Sequence, residues 1–274
     1  MSVEIVILVD HAAASEGLRT EEGLAILVAG PDRKVLFDAA ASPEALLENA
    51  AALGVDLSSV DSAVISHGHS DHTGGLAAVV QKRPGLKVYV HSGAFNRRWA
   101  DQPGKPLRDI SCPHSIERLY QSGAVFHSVT HPERLESWLV LSGPIGGPKH
   151  GRDVFVVRKG GEMVVDGFED EMCLLLRGEA GWAVLTGCCH RGLRNTLRTA
   201  RFLVRGEALT ALVGGLHLDE ANETELAEAT ELLGSYGIRD LYVCHCTGTE
   251  AADALQQQMP GRVHPLQAGS RVIF

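Results

Sequence analysis

Between Ser66 and Gly75 the chain reads SHGHSDHTGG, which places His67, His69, Asp71 and His72 within six residues. Imidazole nitrogens and carboxylate oxygens suit zinc, iron or manganese, and two such ions about 3.5–4 Å apart form a hydrolytic centre. In an extended or turning backbone alternate residues face the same way. His67 and His69 therefore converge on one point, while Asp71 and His72 turn toward a neighbouring one. The segment directly before them, VDSAVIS (60–66), reads as a buried strand, and a histidine-rich surface loop would not need one.

Histidine recurs at three further strand ends. WAVLTG (182–187) runs into Cys188-Cys189-His190, ALVGG into Leu216-His217, and LYV into Cys244-His245-Cys246. Open α/β architectures bind ligands where strands end, and core packing alone does not explain four histidine-bearing strand ends. Arg191 and Arg194 follow His190 at the start of a helix whose dipole favours anions, which makes them candidate contacts for an anionic substrate. Lys149, His150 and Arg152 add positive charge in a glycine- and proline-rich stretch. Thr247-Gly248 offers either a backbone nest for substrate or the start of the last helix. Asp10 and Asp38, each ending a strand, are placed to accept an N–H from a ligand histidine.

The elements that must position these groups alternate between strand and helix. VEIVILV (3–9), LAILV (24–28) and KVLFD (34–38) read as strands, and SPEALLENAAALG (42–54) as a helix with Ser42 at its N-cap, Pro43 in its first turn and Gly54 past its end. KVYVH (87–91), CLLLR, WAVLTG and ALTALVGG (208–215) are further strands. Helices are expected around Leu193, Leu197 and Ala200, from Asp219 to Leu233, and after DLYVCHC (240–246), with RVIF as a closing strand. Residues 92–153 carry six of the eleven prolines and no clear period, so an irregular insertion lying over the site is expected there. The whole chain, 1–274, reads as one domain containing that insertion.

Composition narrows the class of partner. The net charge is −9 with no Lys/Arg-rich block, which favours a small-molecule substrate over nucleic acid or an anionic membrane. No run approaches the ~20 apolar residues that span a bilayer, and MSVEIVILVDH lacks the basic start of a secretion signal, so a cytoplasmic protein is expected. Of the six cysteines, four form CC or CxC pairs flanking a histidine. Such neighbours bridge each other poorly, and free thiols are expected.

SHGHSDH resembles the HxHxDH signature of the metallo-β-lactamase superfamily. LVD (8–10), LFD (36–38), DGFEDE (166–171), TGCCHRGLRNT, VGGLHL and CHCTG resemble, more narrowly, its dihydropterin ribofuranosylaminobenzene-phosphate synthase-like subgroup of metal-dependent hydrolases. The resemblance implies an αββα sandwich and two divalent metal ions, zinc first, with manganese or iron as alternatives. His67, His69 and His190 would hold one ion, and Asp71, His72 and His245 the other. Cys188 stands where many superfamily members carry a bridging aspartate and is a possible additional ligand. His217 would contact substrate or orient a ligand, and Asp71 would also orient the attacking water. Glu22 stands where the subgroup has the histidine of EHG, and Ala39-Ala40 where it has the Thr-Gly of FDTG; these departures bear on the substrate. The implied function is metal-dependent hydrolysis of a small anionic phosphate, lactone or ester. The alternatives are a transferase joining a dihydropterin pyrophosphate to a ribofuranosylaminobenzene phosphate, and a metal- or thiol-dependent sensor.

Overall fold

The computed structural model describes residues 2–148 and 154–274. Lys149, His150 and Arg152 lie outside the described residues. Two seven-stranded sheets stack face to face. The first runs in the order Arg271–Ile273, Glu4–Val9, Ala25–Ala29, Lys34–Phe37, Ser62–Val64, Lys87–Val90, Val125–Ser128. The second runs Val263–Pro265, Asp240–Val243, Leu209–Gly214, Trp182–Thr186, Leu174–Arg177, Leu139–Leu141, Glu133–Glu136. Each sheet has an antiparallel part and a parallel part, and the parallel strands are those that deliver histidines.

The sequence period explains the layering. On the strand Glu4–Val9, Ile5 and Ile7 enter the core between the sheets, while Val6 and Leu8 join the core under the helices of the first sheet. On Trp182–Thr186, Ala183 and Leu185 face the central core, and Trp182 and Val184 face the core under the helices of the second sheet. The helices Pro43–Ala52 and Leu76–Lys82 cover one outer face; Leu193–Leu203, Glu223–Ser235 and Thr249–Gln258 cover the other. The result is the expected four-layer αββα sandwich. Ser42 caps its helix by accepting from the Ala45 N–H, with Pro43 next in line, as read from the sequence. All six cysteines are free, and among the described residues no helix is long and apolar enough to cross a membrane.

The described residues of 92–153 differ from the expectation of an irregular insertion. Val125–Ser128 is an edge strand of the first sheet, and Glu133–Glu136 and Leu139–Leu141 close the second, with Trp138 wholly buried between the sheets. Edge strands such as VFHS and ERLE are half exposed and short, so they carry no apolar alternation for a sequence reading to find. The part that does stand over the site is smaller. Arg98–Ala100 and Arg108–Asp109 join Phe155–Lys159 and Glu162–Val165 in a separate four-stranded sheet.

Candidate metal centre

The strand Ser62–Val64 ends two residues before a tight turn that buries Ser66, His67 and His72. His69 precedes the one-turn helix Ser70–Thr73, and Thr73 Oγ1 closes that turn by donating to the His69 carbonyl at 2.9 Å. The turn fits only because of its glycines. A Cβ at Gly68 would stand 2.0 Å from the Ala94 carbonyl oxygen, and one at Gly74 would stand 1.8 Å from that of Ala41.

Buried carboxylates hold the histidine-bearing loops by their backbones. Asp38 accepts from Ser66 N and Ser66 Oγ, both at 2.7 Å, and pairs with His72 Nδ1 at 2.7 Å. Asp170 accepts from Gly68 N at 2.9 Å. Glu171 accepts from His190 N at 2.5 Å and Arg191 N at 2.6 Å. Asp10 accepts from His245 N at 3.0 Å. Asp38 thus lies against the ring of a donor histidine, His72, whereas Asp10 meets the donor histidine His245 only at its backbone amide. Backbone strain gathers in the same loops, with positive φ at Asp38, Phe168, Cys189, His217 and His245.

Two sets of donors result. The rings of His67, His69 and His190 lie 4.6–4.8 Å apart by centroid, and their ligand atoms are close enough to share one ion. Ser66 Oγ gives its proton to Asp38, so at 2.9 Å it accepts from His67 Nδ1 and leaves His67 Nε2 with a free lone pair. The Nε2 atoms of all three rings are buried and have no hydrogen-bond partner among the described residues. Phe168 stacks on His190 at 4.1 Å, and Phe155 packs 5.2 Å from His69. Burial in this apolar cage pushes all three imidazoles well below their ordinary pKa, and the neighbouring rings add to it, so they are neutral at neutral pH.

The second set is polar and internally paired. Asp71 Oδ2 lies 3.5 Å from His72 Nε2 and 3.5 Å from His245 Nε2, and those two nitrogens are 3.1 Å apart. Cys188 Sγ is 3.1 Å from His72 Nε2, which places it with this set. Burial acts to raise the Asp71 carboxyl, but His72 and the hydrogen bond from His245 outweigh it and hold the acid far below the usual range. Burial acts to lower His245, but Asp71, Cys246 and Asp10 outweigh it and raise the ring to about 9. The sets His67/His69/His190 and Asp71/His72/His245 share no residue, but they adjoin: His67 also comes within ligand-sharing distance of His72 and Cys188. Orphaned, buried imidazole nitrogens in one set and a carboxylate, imidazoles and a thiol in the other fit a pair of divalent cations. Cys246, outside the expected donors, comes within ligand-sharing distance of Cys188 and His245.

Both sets open into a cavity of about 900 Å³. His217 and Arg194 line it, with the His217 ring 4.6 Å from that of His190. Two expected substrate contacts are elsewhere. Arg191 is nearly buried, and its guanidinium donates to the carbonyls of Ile145, Gly147 and Gly167, so it ties neighbouring loops together instead of facing the cavity. Thr247 is buried, its Oγ1 accepting from Leu216 N at 3.1 Å, which makes it a link between strand ends. Sequence reasoning did not single out His11, Phe155 or the individual roles of Asp170 and Glu171. The DGFEDE run was the available signal for the acids; nothing local marked His11.

Residues 18–165 match the model of the family described as Metallo-beta-lactamase superfamily. The chain belongs to the metallo-beta-lactamase superfamily. Among relatives in this superfamily fold, the crystal structure of Tm1679, titled a metal-dependent hydrolase of the beta-lactamase superfamily, is 28% identical with a TM-score of 0.83, and 98% of each chain is covered. A 7,8-dihydropterin-6-methyl-4-(beta-D-ribofuranosyl)-aminobenzene-5'-phosphate synthase of Methanocaldococcus jannaschii is 25% identical over 97% of this chain and 94% of its own. An uncharacterised protein of the same organism is 27% identical over 92% and 94%. The subgroup resemblance read from the motifs and the similarity to the synthase coincide.

Proposed function

We propose that the protein is a binuclear metal-dependent hydrolase of a small anionic substrate carrying a phosphate, lactone or ester. The observation that carries this reading is the trio of buried, partnerless Nε2 atoms on His67, His69 and His190 beside the disjoint Asp71, His72 and His245 set, both at one cavity. When bound, two divalent ions would polarise the scissile group and make water a nucleophile near neutral pH.

The chain's own residues do the rest. Asp71 directs Oδ2 at His72 and His245, leaving its other oxygen to orient the attacking water and pass its proton to solvent. Arg194 and Arg108 line the cavity and receive the anionic group, supported by the N-terminus of the helix Leu193–Leu203. Glu22, Asp219 and Glu228 also line it, so an anion is confined to the arginine-bearing part of the wall. Cys188 joins the second donor set, which favours zinc over manganese there.

The test is turnover of aryl phosphodiesters, phosphomonoesters and lactones by protein loaded with zinc or manganese, before and after chelation. Metal-restored turnover in one class supports the reading; a fully loaded protein inert to all three contradicts it. A second reading, transfer of a dihydropterin group with loss of pyrophosphate, is supported by the similarity to the synthase. Pyrophosphate release that requires both co-substrates would favour it.

A further inference from the structure

The metal centre leaves one titratable pair on the cavity wall unused. His11 follows the strand Glu4–Val9 and lines the same cavity as Asp71 and His245. Its Nδ1 lies 3.2 Å from Asp10 Oδ1, the oxygen that also accepts from His245 N. The Asp10 side chain is wholly buried, whereas that of His11 is 32% exposed. One ring nitrogen therefore lies within ion-pair distance of a buried carboxylate, and Nε2 is the nitrogen left for a bound molecule. The charged or titratable groups facing the ring are Asp10, Glu22 and His245. The hydrogen bond to Asp10 raises the ring above its ordinary pKa; burial opposes it, and the charges of Asp10 and Glu22 reinforce it against His245. Glu22 lines the same cavity and adds negative charge near the ring.

We propose that His11 is a catalytic residue of the hydrolysis proposed above, its Nε2–H donating a proton to the departing atom as the scissile bond breaks. Water forms the new bond to carbon or phosphorus, and its proton leaves through Asp71 to solvent. The electron pair of the broken bond goes to the leaving oxygen or nitrogen, which takes the His11 proton. Solvent reprotonates His11, and one water is consumed per turnover. This assignment rests on the hydrolase reading. A proton donor matters most when the leaving group is a poor one, and such donors typically contribute 10²–10⁴-fold.

The experiment compares zinc-loaded wild type with His11→Asn and His11→Gln on matched aryl phosphodiesters and aryl esters that release p-nitrophenol or phenol. The expected result is a loss of about 100-fold for phenol release and under about 5-fold for p-nitrophenol release, with metal content unchanged. A second readout, in chelator-treated protein, is the His11 ring signal in NMR, assigned by its absence from His11→Asn. It is expected to titrate above the ordinary value near 6.5 and to move down in Glu22→Gln. Equal losses for both leaving groups, or titration at or below the ordinary value, would overturn the assignment while leaving hydrolysis standing. Wild type that turns over neither leaving group would defeat the hydrolase reading and the role of His11 together.

Discussion

The two donor sets lie side by side and solve the same problem in opposite ways. His67, His69 and His190 are neutral rings in an apolar cage, and their Nε2 atoms have nothing else to bind among the described residues. Asp71, His72, His245 and Cys188 are polar, close to one another and already interacting. A cation entering the first set displaces no hydrogen bond and no proton. A cation entering the second must displace the His245 proton and break contacts, though it gains a carboxylate and a thiol in return. Preorganisation by isolation thus stands beside attraction by charge.

The largest expected effect comes from emptying one set while sparing the other. His190→Ala should cost about a thousandfold in turnover, consistent with several kcal/mol of metal-derived stabilisation, and should remove one ion while the second stays. Metal analysis beside kinetics checks this, and loss of both ions together would break the division into two sets.

Asp38→Asn comes next, since Asp38 serves both sides, holding Ser66 on the way to His67 and the His72 ring. Metal affinity is expected to fall about 10–100-fold at both positions. Competition with a chromogenic chelator would show it; a loss confined to one position would show that the sets are supported independently.

Acidity distinguishes the sets in chelator-treated protein. His67, His69 and His190 have folded pKa values below 6.5, so the unfolded chain takes protons first and stability falls as pH drops below that value. His245, raised to about 9, contributes stability that is complete below 6.5 and lost as pH rises through 9. Glu171, pushed up to about 7 by burial, and Asp170, raised by burial, oppose part of the acid-side loss. The thermal midpoint should therefore peak near neutrality and drop by about 5 °C from pH 7 to 5.5, at 2–4 °C per kcal/mol. A midpoint that holds steady or climbs toward pH 5.5 would refute the neutral-trio description.

Cys188→Ser is the mildest change. It should lower zinc affinity only at the second position, by about 10-fold, and abolish thiolate-to-metal charge transfer in the cobalt-substituted protein. Retention of that band in the variant would transfer the thiolate role to Cys246.

How much of this could be read in the chain depends on distance along it. The HxHxDH turn, the histidines at strand ends and the cap of the helix Pro43–Ala52 are local patterns, and each occurs where its period or spacing put it. Arg191 and Thr247 are tied into the fold by partners, Ile145, Gly147, Gly167 and Leu216, that lie about 20 to 50 residues away in sequence, so no local pattern marks those ties. An arginine beside a candidate ligand looks the same in sequence whether it faces substrate or three carbonyls. Glu171 and Asp170 grip loops they reach only through the fold. His11 gained meaning only when Asp10 and the cavity were placed around it.

The central claim is that the chain holds two ions in two separable sets, and elemental analysis of protein purified without chelator tests it most directly. Wild type should carry about two ions per chain, and His69→Ala and Asp71→Ala about one each, with Asp71→Ala losing the ion that the His67 trio does not hold. A single ion in wild type, or full occupancy with undiminished turnover in both variants, would contradict the account.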